Sequence, residues 1–151
     1  MAYRDTRQDT SPSNLGSNSP SGVIPLWVKL VVILGALLTG AGAVIALVNP
    51  AMLASPLDEM NEAVHIYAGY LAARNTALAL LLLTLLAMRA RWALSNLMVL
   101  VGLIQLLDAG MDCAEGRWMI APGVLVFGFI FLAAAARLSG YPFWRREAWS
   151  R

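Results

Sequence analysis

The sequence predicts an all-α integral membrane protein, a four-helix bundle with antiparallel up-down topology. Of its 151 residues, 59% are hydrophobic and only 13% are charged, about half the charged fraction of an ordinary soluble domain. The apolar residues form four long runs, each close to the roughly 20 residues that a helix needs to cross the hydrocarbon core of a bilayer. Basic and acidic residues gather on opposite sides of these runs, which is the charge pattern of an oriented multi-pass protein.

A polar segment precedes the membrane domain. Residues 1–22 are rich in serine, proline and asparagine and hold too few apolar side chains to offset the entropy lost on ordering, so we expect a disordered cytoplasmic tail. Residues 23–140 form the membrane domain. Its four predicted spans cover residues 27–48, 66–88, 92–111 and 120–138.

The segments between and after the spans predict their arrangement. Only residues 89–91 separate the second span from the third, so these two must form an antiparallel hairpin. The longest connection, residues 51–65, could carry a short interfacial helix. Residues 141–151 combine aromatic side chains with arginine, which is typical of a cytoplasmic interfacial anchor.

The charge distribution predicts that both termini are cytoplasmic. Of the eleven basic residues, all but Arg74 and Arg117 fall on the side of the termini, and the positive-inside rule places that side in the cytoplasm of a cell (plasma or inner) membrane. This orientation explains the pI near 9.0, so we expect lipid and no nucleic acid as a partner. The opposite side carries Asp58, Glu59, Glu62, Asp112 and Glu115.

Two charged residues interrupt the apolar runs, Arg74 in the second span and Asp108 late in the third. A charge among lipid tails costs roughly 2.5–3.5 kcal/mol on insertion scales, so it normally pairs or faces water. At 1.5 Å per residue, both lie about 21–24 Å from the connection that joins the two spans. We therefore expect the two side chains to lie at the same depth, in the outer part of the bilayer, and to be each other's partner.

Further polar side chains lie on or beside the same helix faces, and they predict a polar pocket open to the outer face of the membrane. His65 and Glu62 would lie near its mouth, and Asp112 follows Asp108 by one helical turn. The candidate ligand-binding residues are Tyr67, Tyr70, Arg74, Asn75, Gln105 and Asp108.

Two interpretations of the charged pair stay open. As a structural pair it would fix the register of the hairpin, and its burial would contribute specificity rather than stability. As a functional pair it would line a ligand-binding or catalytic pocket, in which Asp108 or Asp112 acts as acid or base and Arg74 binds an anion.

We predict no metal site and no cofactor. A site around His65, the one histidine, would need Glu62, Asp112 and Glu115 to converge on it, and their spacing does not require this. His65 and Glu62 are therefore weak candidates for metal ligands. Cys113 is the one cysteine, which excludes an intramolecular disulfide and argues against thiol oxidoreductases, since these need paired cysteines.

Small residues line one face of the first span at Gly35, Thr39 and Gly42. Such a stripe permits close packing of another helix, either within the bundle or from a homo-oligomer or a partner membrane protein. In the fourth span, Gly128 could admit a neighbouring helix. The first and fourth spans contain no carboxylate, which argues against a small multidrug antiporter with a glutamate in its first helix.

Three short stretches carry a likeness to a known family. The first span ends in Asn49-Pro50, Gly69 stands five residues before Arg74 in the opening of the second, and Asp108 closes the third. They resemble small four-helix DoxX-like membrane proteins, in particular the DUF4267 and DUF4345 groups, whose second span opens with Gly-x-Arg-Asp/Asn. The likeness covers roughly residues 26–138. It implies a four-helix bundle in which Arg74 and Asp108 matter, and it implies no activity.

Three functions fit these observations, in decreasing order of support. The first is an accessory or assembly protein without turnover. The second is a membrane-embedded isomerase, cyclase or redox accessory for a lipophilic substrate, with Asp108 and Asp112 as acid and base. The third is a transporter, which would require oligomerisation because four helices are few for a pathway.

Overall fold

The computed structural model describes residues 23–52, 61–142 and 144–146, and within these ranges the chain is helical without a strand. The predicted N-terminal tail lies outside the described residues, as do residues 53–60 of the first connection and most of the C-terminal segment. By length and composition, all four long helices could cross a membrane. They are α1 (Leu26–Val48), α2 (Glu62–Ala87), α3 (Arg91–Ala114) and α4 (Ala121–Ser139), and a short 3-10 helix follows α1 at Pro50–Met52.

The predicted fold class, an antiparallel four-helix bundle, is confirmed, and two helices extend beyond the predicted spans. α2 begins at Glu62 because the Asn61 side chain accepts a hydrogen bond from the Val64 N–H (3.1 Å). Such a cap satisfies one of the free amides of the first turn, and Glu62 lies where the helix dipole favours a negative charge. α3 continues to Ala114. Both extensions carry polar residues to the same end of the bundle.

The bundle has two chemically different ends. At one end of the bundle, α1 and α3 end and α2 and α4 begin. We call it the acidic end, because it carries Glu62, Asp112 and Glu115. We call the opposite end, with Lys29, Arg89, Arg91 and Arg137, the basic end. At the basic end, Arg89 makes the tight turn between α2 and α3 with a φ of 54°.

The four helices associate as two closely packed pairs, α1 with α2 and α3 with α4, and contacts between the pairs are few. In the second pair, a Cβ at Gly102 would lie 3.1 Å from the carbonyl oxygen of Gly128. A Cβ at Gly128 would likewise lie 3.1 Å from the carbonyl oxygen of Gly102. Only glycine permits two helix backbones to approach so closely. The hairpin of α2 and α3 is antiparallel as predicted, but few contacts join these two helices.

The core fills the basic half of the bundle. Its largest fully buried side chains are Val28, Val32, Leu82, Leu94, Met98 and Phe131. Between α1 and α2 the acidic half holds a small alanine cluster, Ala43, Ala46, Ala68 and Ala72. The two helix pairs are therefore held together at the basic end and leave a cleft at the acidic end.

The small-residue stripe of α1 makes its contacts inside the chain. Gly35 lies against the ring of Phe131 in α4, and Gly42 lies beside the Asn75 amide in α2. Thr39 lines the cleft between the helix pairs. The large apolar side chains on the outside, such as Leu37, Leu81 and Phe129, remain exposed, as expected of helices surrounded by lipid.

Candidate functional site

The charged pair in the spans is in direct contact. Arg74 Nη2 donates to Asp108 Oδ2 at 3.3 Å, which confirms the pairing predicted from depth along the hairpin. Arg74 Nε also donates to Asn75 Oδ1 at 3.4 Å. The contact is long for a charge-assisted hydrogen bond, for which about 2.7–2.9 Å is usual, and both side chains are 41% exposed. The pair therefore bridges α2 and α3 loosely and is accessible from the cleft.

A cavity of about 340 Å³ occupies the cleft at the acidic end, within the size range of small-molecule sites. Its apolar lining includes Leu38, Leu78 and Val101 from three helices, and of these Leu78 and Val101 are buried. We call its polar part, toward the acidic end, the charged rim. The charged rim consists of Arg74, Asp108, Asp112, Glu115 and Arg117.

Arg117 organises the part of the charged rim nearest the loops. Its Nη2 lies 2.7 Å from Asp112 Oδ1 and 2.9 Å from Glu115 Oε2. The backbone supports this arrangement, because the Arg117 N–H donates to the Asp112 carbonyl oxygen (2.8 Å) after Gly116 turns the chain with a φ of 75°. Asp112 is buried, at 7% exposure. The sequence interpretation missed the role of Arg117, although its position five residues after Asp112 in a short connection was the available signal.

Most of the predicted ligand-binding residues line the cavity. Tyr67, Asn75 and Gln105 do so together with the charged pair. Tyr70 does not, and it is 74% exposed. Viewed along the axis of α2, the face that lines the cavity extends from Arg74 in the direction of Asn75. With 3.6 residues per turn, Tyr70 projects from the opposite side of Arg74. Tyr70 therefore lies outside the cavity that the other five candidates line.

The weak metal candidates lie apart from the cavity. His65 and Glu62 are exposed near the start of α2. They were expected near the mouth of the pocket, but neither of them lines the cavity. Among the described residues, no three His, Cys, Asp or Glu side chains converge in a way that could hold a metal ion. Cys113 is half-buried and is a free cysteine.

The cavity thus has the chemistry of an amphiphile site. An apolar floor can bury a hydrocarbon chain, and the charged rim can contact a polar head group. Compared with family models, with curated proteins and with solved structures, the chain matches none of them.

Proposed function

We propose that this small multi-pass membrane protein acts as an accessory protein that holds an amphiphilic molecule, without turnover, between its two helix pairs. The observation that carries the proposal is the cavity itself, which has an apolar floor and a half-exposed ion pair in its charged rim. A pair that only fixed helix register would need no cavity beside it.

The contacts of the two candidate acid–base residues favour binding over catalysis. The Asp112 carboxylate is buried and held by Arg117, and Asp108 is held by Arg74. A carboxylate has to leave such a contact before it can take a proton from a substrate, since a general base must lie within hydrogen-bond reach of that proton. The enzyme alternative, with Asp108 and Asp112 as acid and base, has less support for this reason.

Photolabelling tests the binding proposal. The protein in lipid nanodiscs would be exposed to three diazirine probes with the same alkyl chain and an ammonium, carboxylate or hydroxyl head, and the labelled peptides mapped by mass spectrometry. We expect at least one probe to label the residues that line the cavity. Ile104→Trp should reduce this labelling to background, because Ile104 lines the cavity and an indole would fill it.

The matched control is Leu100→Trp, one turn earlier on the outer face of α3, where Leu100 is 50% exposed and does not line the cavity. This variant should keep the labelling of the wild type. Labelling that Ile104→Trp and Leu100→Trp change equally, or absence of cavity labelling by all three probes, would contradict the proposal.

A second candidate function is an assembly role in which the charged pair acts as a clamp. It is favoured by the direct 3.3 Å contact between Arg74 and Asp108, which joins the two helix pairs where other contacts between them are few. This candidate predicts that no amphiphile enters the cavity, so the absence of labelling that contradicts the first proposal supports this one.

We also propose that both termini face the cytoplasm of the cell membrane. The proposal is supported by the basic residues Lys29, Arg89, Arg91 and Arg137 at one end of the bundle and by the positive-inside rule. A C-terminal reporter enzyme that works only outside the cytoplasm should be inactive, and a C-terminal fluorescent protein that folds only in the cytoplasm should fluoresce. Activity of the first reporter would contradict this orientation and place the C-terminus outside the cytoplasm.

Membership of the DoxX-like proteins is likewise a proposal. It is supported by the three short stretches around Asn49-Pro50, Arg74 and Asp108, and by the agreement in helix number and order.

A further inference from the structure

We infer that the cavity selects amphiphiles with a cationic, amine-type head group, and that Asp108 accepts the hydrogen bond from that head. This inference rests on the proposed function and names the class of ligand. The observations that carry it are the charge of the rim, the engagement of its guanidinium groups and the free oxygen of Asp108.

The described residues of the charged rim carry an excess of one negative charge. Three carboxylates, Asp108, Asp112 and Glu115, face two guanidinium groups. In a site with low-dielectric walls, such an excess raises the local concentration of cations and lowers that of anions.

Both guanidinium groups are already engaged by carboxylates. Arg117 contacts Asp112 and Glu115, and Arg74 donates to Asp108 and to Asn75. An anionic head group would therefore have to compete with carboxylates that are already in place, and it would also be repelled by them. This arrangement disfavours fatty acids and phosphate esters as ligands.

Asp108 retains an acceptor for an incoming donor. Its Oδ2 accepts from Arg74, while its Oδ1 accepts no hydrogen bond from the part of the chain that the structure describes. An ionised carboxylate offers about four lone-pair sites, and an ammonium group has three N–H donors and no acceptor. With its side chain 41% exposed, Asp108 can bind an ammonium head without giving up Arg74.

The surroundings of Asp108 suit the rest of such a molecule. Gln105 precedes it by about one turn of α3 and adds an uncharged oxygen, and Tyr67 lines the facing side of the cavity. Deeper in the bundle, Leu78 and Val101 belong to both the cavity floor and the core. An amphiphile would therefore place its chain toward the basic end and its amine at the charged rim.

The three photoprobes described above test the inference. We expect the ammonium probe to label the cavity of the wild type at a roughly tenfold lower concentration than the carboxylate probe, because a hydrogen bond between charged partners is worth about one decade in affinity. The hydroxyl probe should fall between them. Asp108→Asn should remove the preference, and Glu62→Gln, which neutralises an exposed carboxylate outside the cavity, should keep it.

A second variant should increase the preference for the ammonium probe, so its result does not depend on a loss of labelling. Arg74→Gln removes one positive charge from the rim and frees Oδ2 of Asp108, so the preference for the ammonium probe should increase. Equal or better labelling by the carboxylate probe, or a preference that survives Asp108→Asn, would overturn the inference while the binding function stands. Labelling by none of the three probes would overturn both.

Discussion

Replacing Gly35 by alanine is expected to destabilise the bundle by about 1–3 kcal/mol, the usual range for overpacking a filled core. The new Cβ would overlap the ring of Phe131, whose Cε2 would lie only 2.7 Å away. Phe131 is itself 1% exposed and belongs to the core, so a shift of its ring would displace other core side chains. The free energy of unfolding in detergent micelles, measured by denaturant titration of helix content, reports the loss.

Gly40→Ala on the same helix is the control. A Cβ at Gly40 meets nothing within 4 Å, and alanine is the better helix former by about 0.5–1 kcal/mol, so this variant should be neutral or slightly more stable. Adding Phe131→Leu to Gly35→Ala should recover part of the loss, since neighbouring substitutions that relieve one clash are not additive. Equal effects of the two alanines would disprove the close contact between α1 and α4.

Removing the Arg117 side chain, in Arg117→Ala, is expected to cost about 2 kcal/mol of stability. The loss of one partner of a fully buried ion pair costs about 3–5 kcal/mol because the other charge stays buried, and here the 28% exposure of Arg117 lets water reach the site. The carboxylate left without this partner is that of Asp112, which is 7% exposed. The same unfolding titration measures the effect.

A second substitution tests whether the charge of Asp112 causes this loss of stability. In the Arg117→Ala background, Asp112→Asn removes the charge but keeps the shape, so the double variant should be more stable than Arg117→Ala alone. The comparison is Arg74→Ala, which should cost less than about 1 kcal/mol because the Arg74–Asp108 pair is half exposed. If Arg74→Ala costs as much as Arg117→Ala, the difference in burial between the two ion pairs is not what governs stability.

The sequence sufficed for properties that depend on position along a helix. The lengths of the apolar runs predicted four helices, and equal distances from the α2–α3 connection predicted that Arg74 meets Asp108, because depth in a helix grows linearly with residue number. The start of α2 was missed because the prediction followed apolar residues, while the helix begins at its Asn61 cap.

Properties that depend on rotation about a helix axis could not be predicted in this way. Depth does not say which face of α2 turns inward, so Tyr70 was placed in the cavity although it lies outside it. The small residues Gly35 and Gly128 indicated close packing, but the sequence did not say that their neighbours would be Phe131 and Gly102, since these contacts join distant parts of the chain. Arg117 was missed because its role depends on the turn at Gly116.

The position of the core has a consequence for how this protein can change. The residues proposed to contact the head group, Arg74, Gln105 and Asp108, share no position with the buried cluster at the basic end. The proposed head-group contacts and the packing of the core at the basic end are therefore encoded by different residues. A few substitutions at the acidic end could redirect the same scaffold toward a different amphiphile, and the helix pairs would still assemble through the basic end.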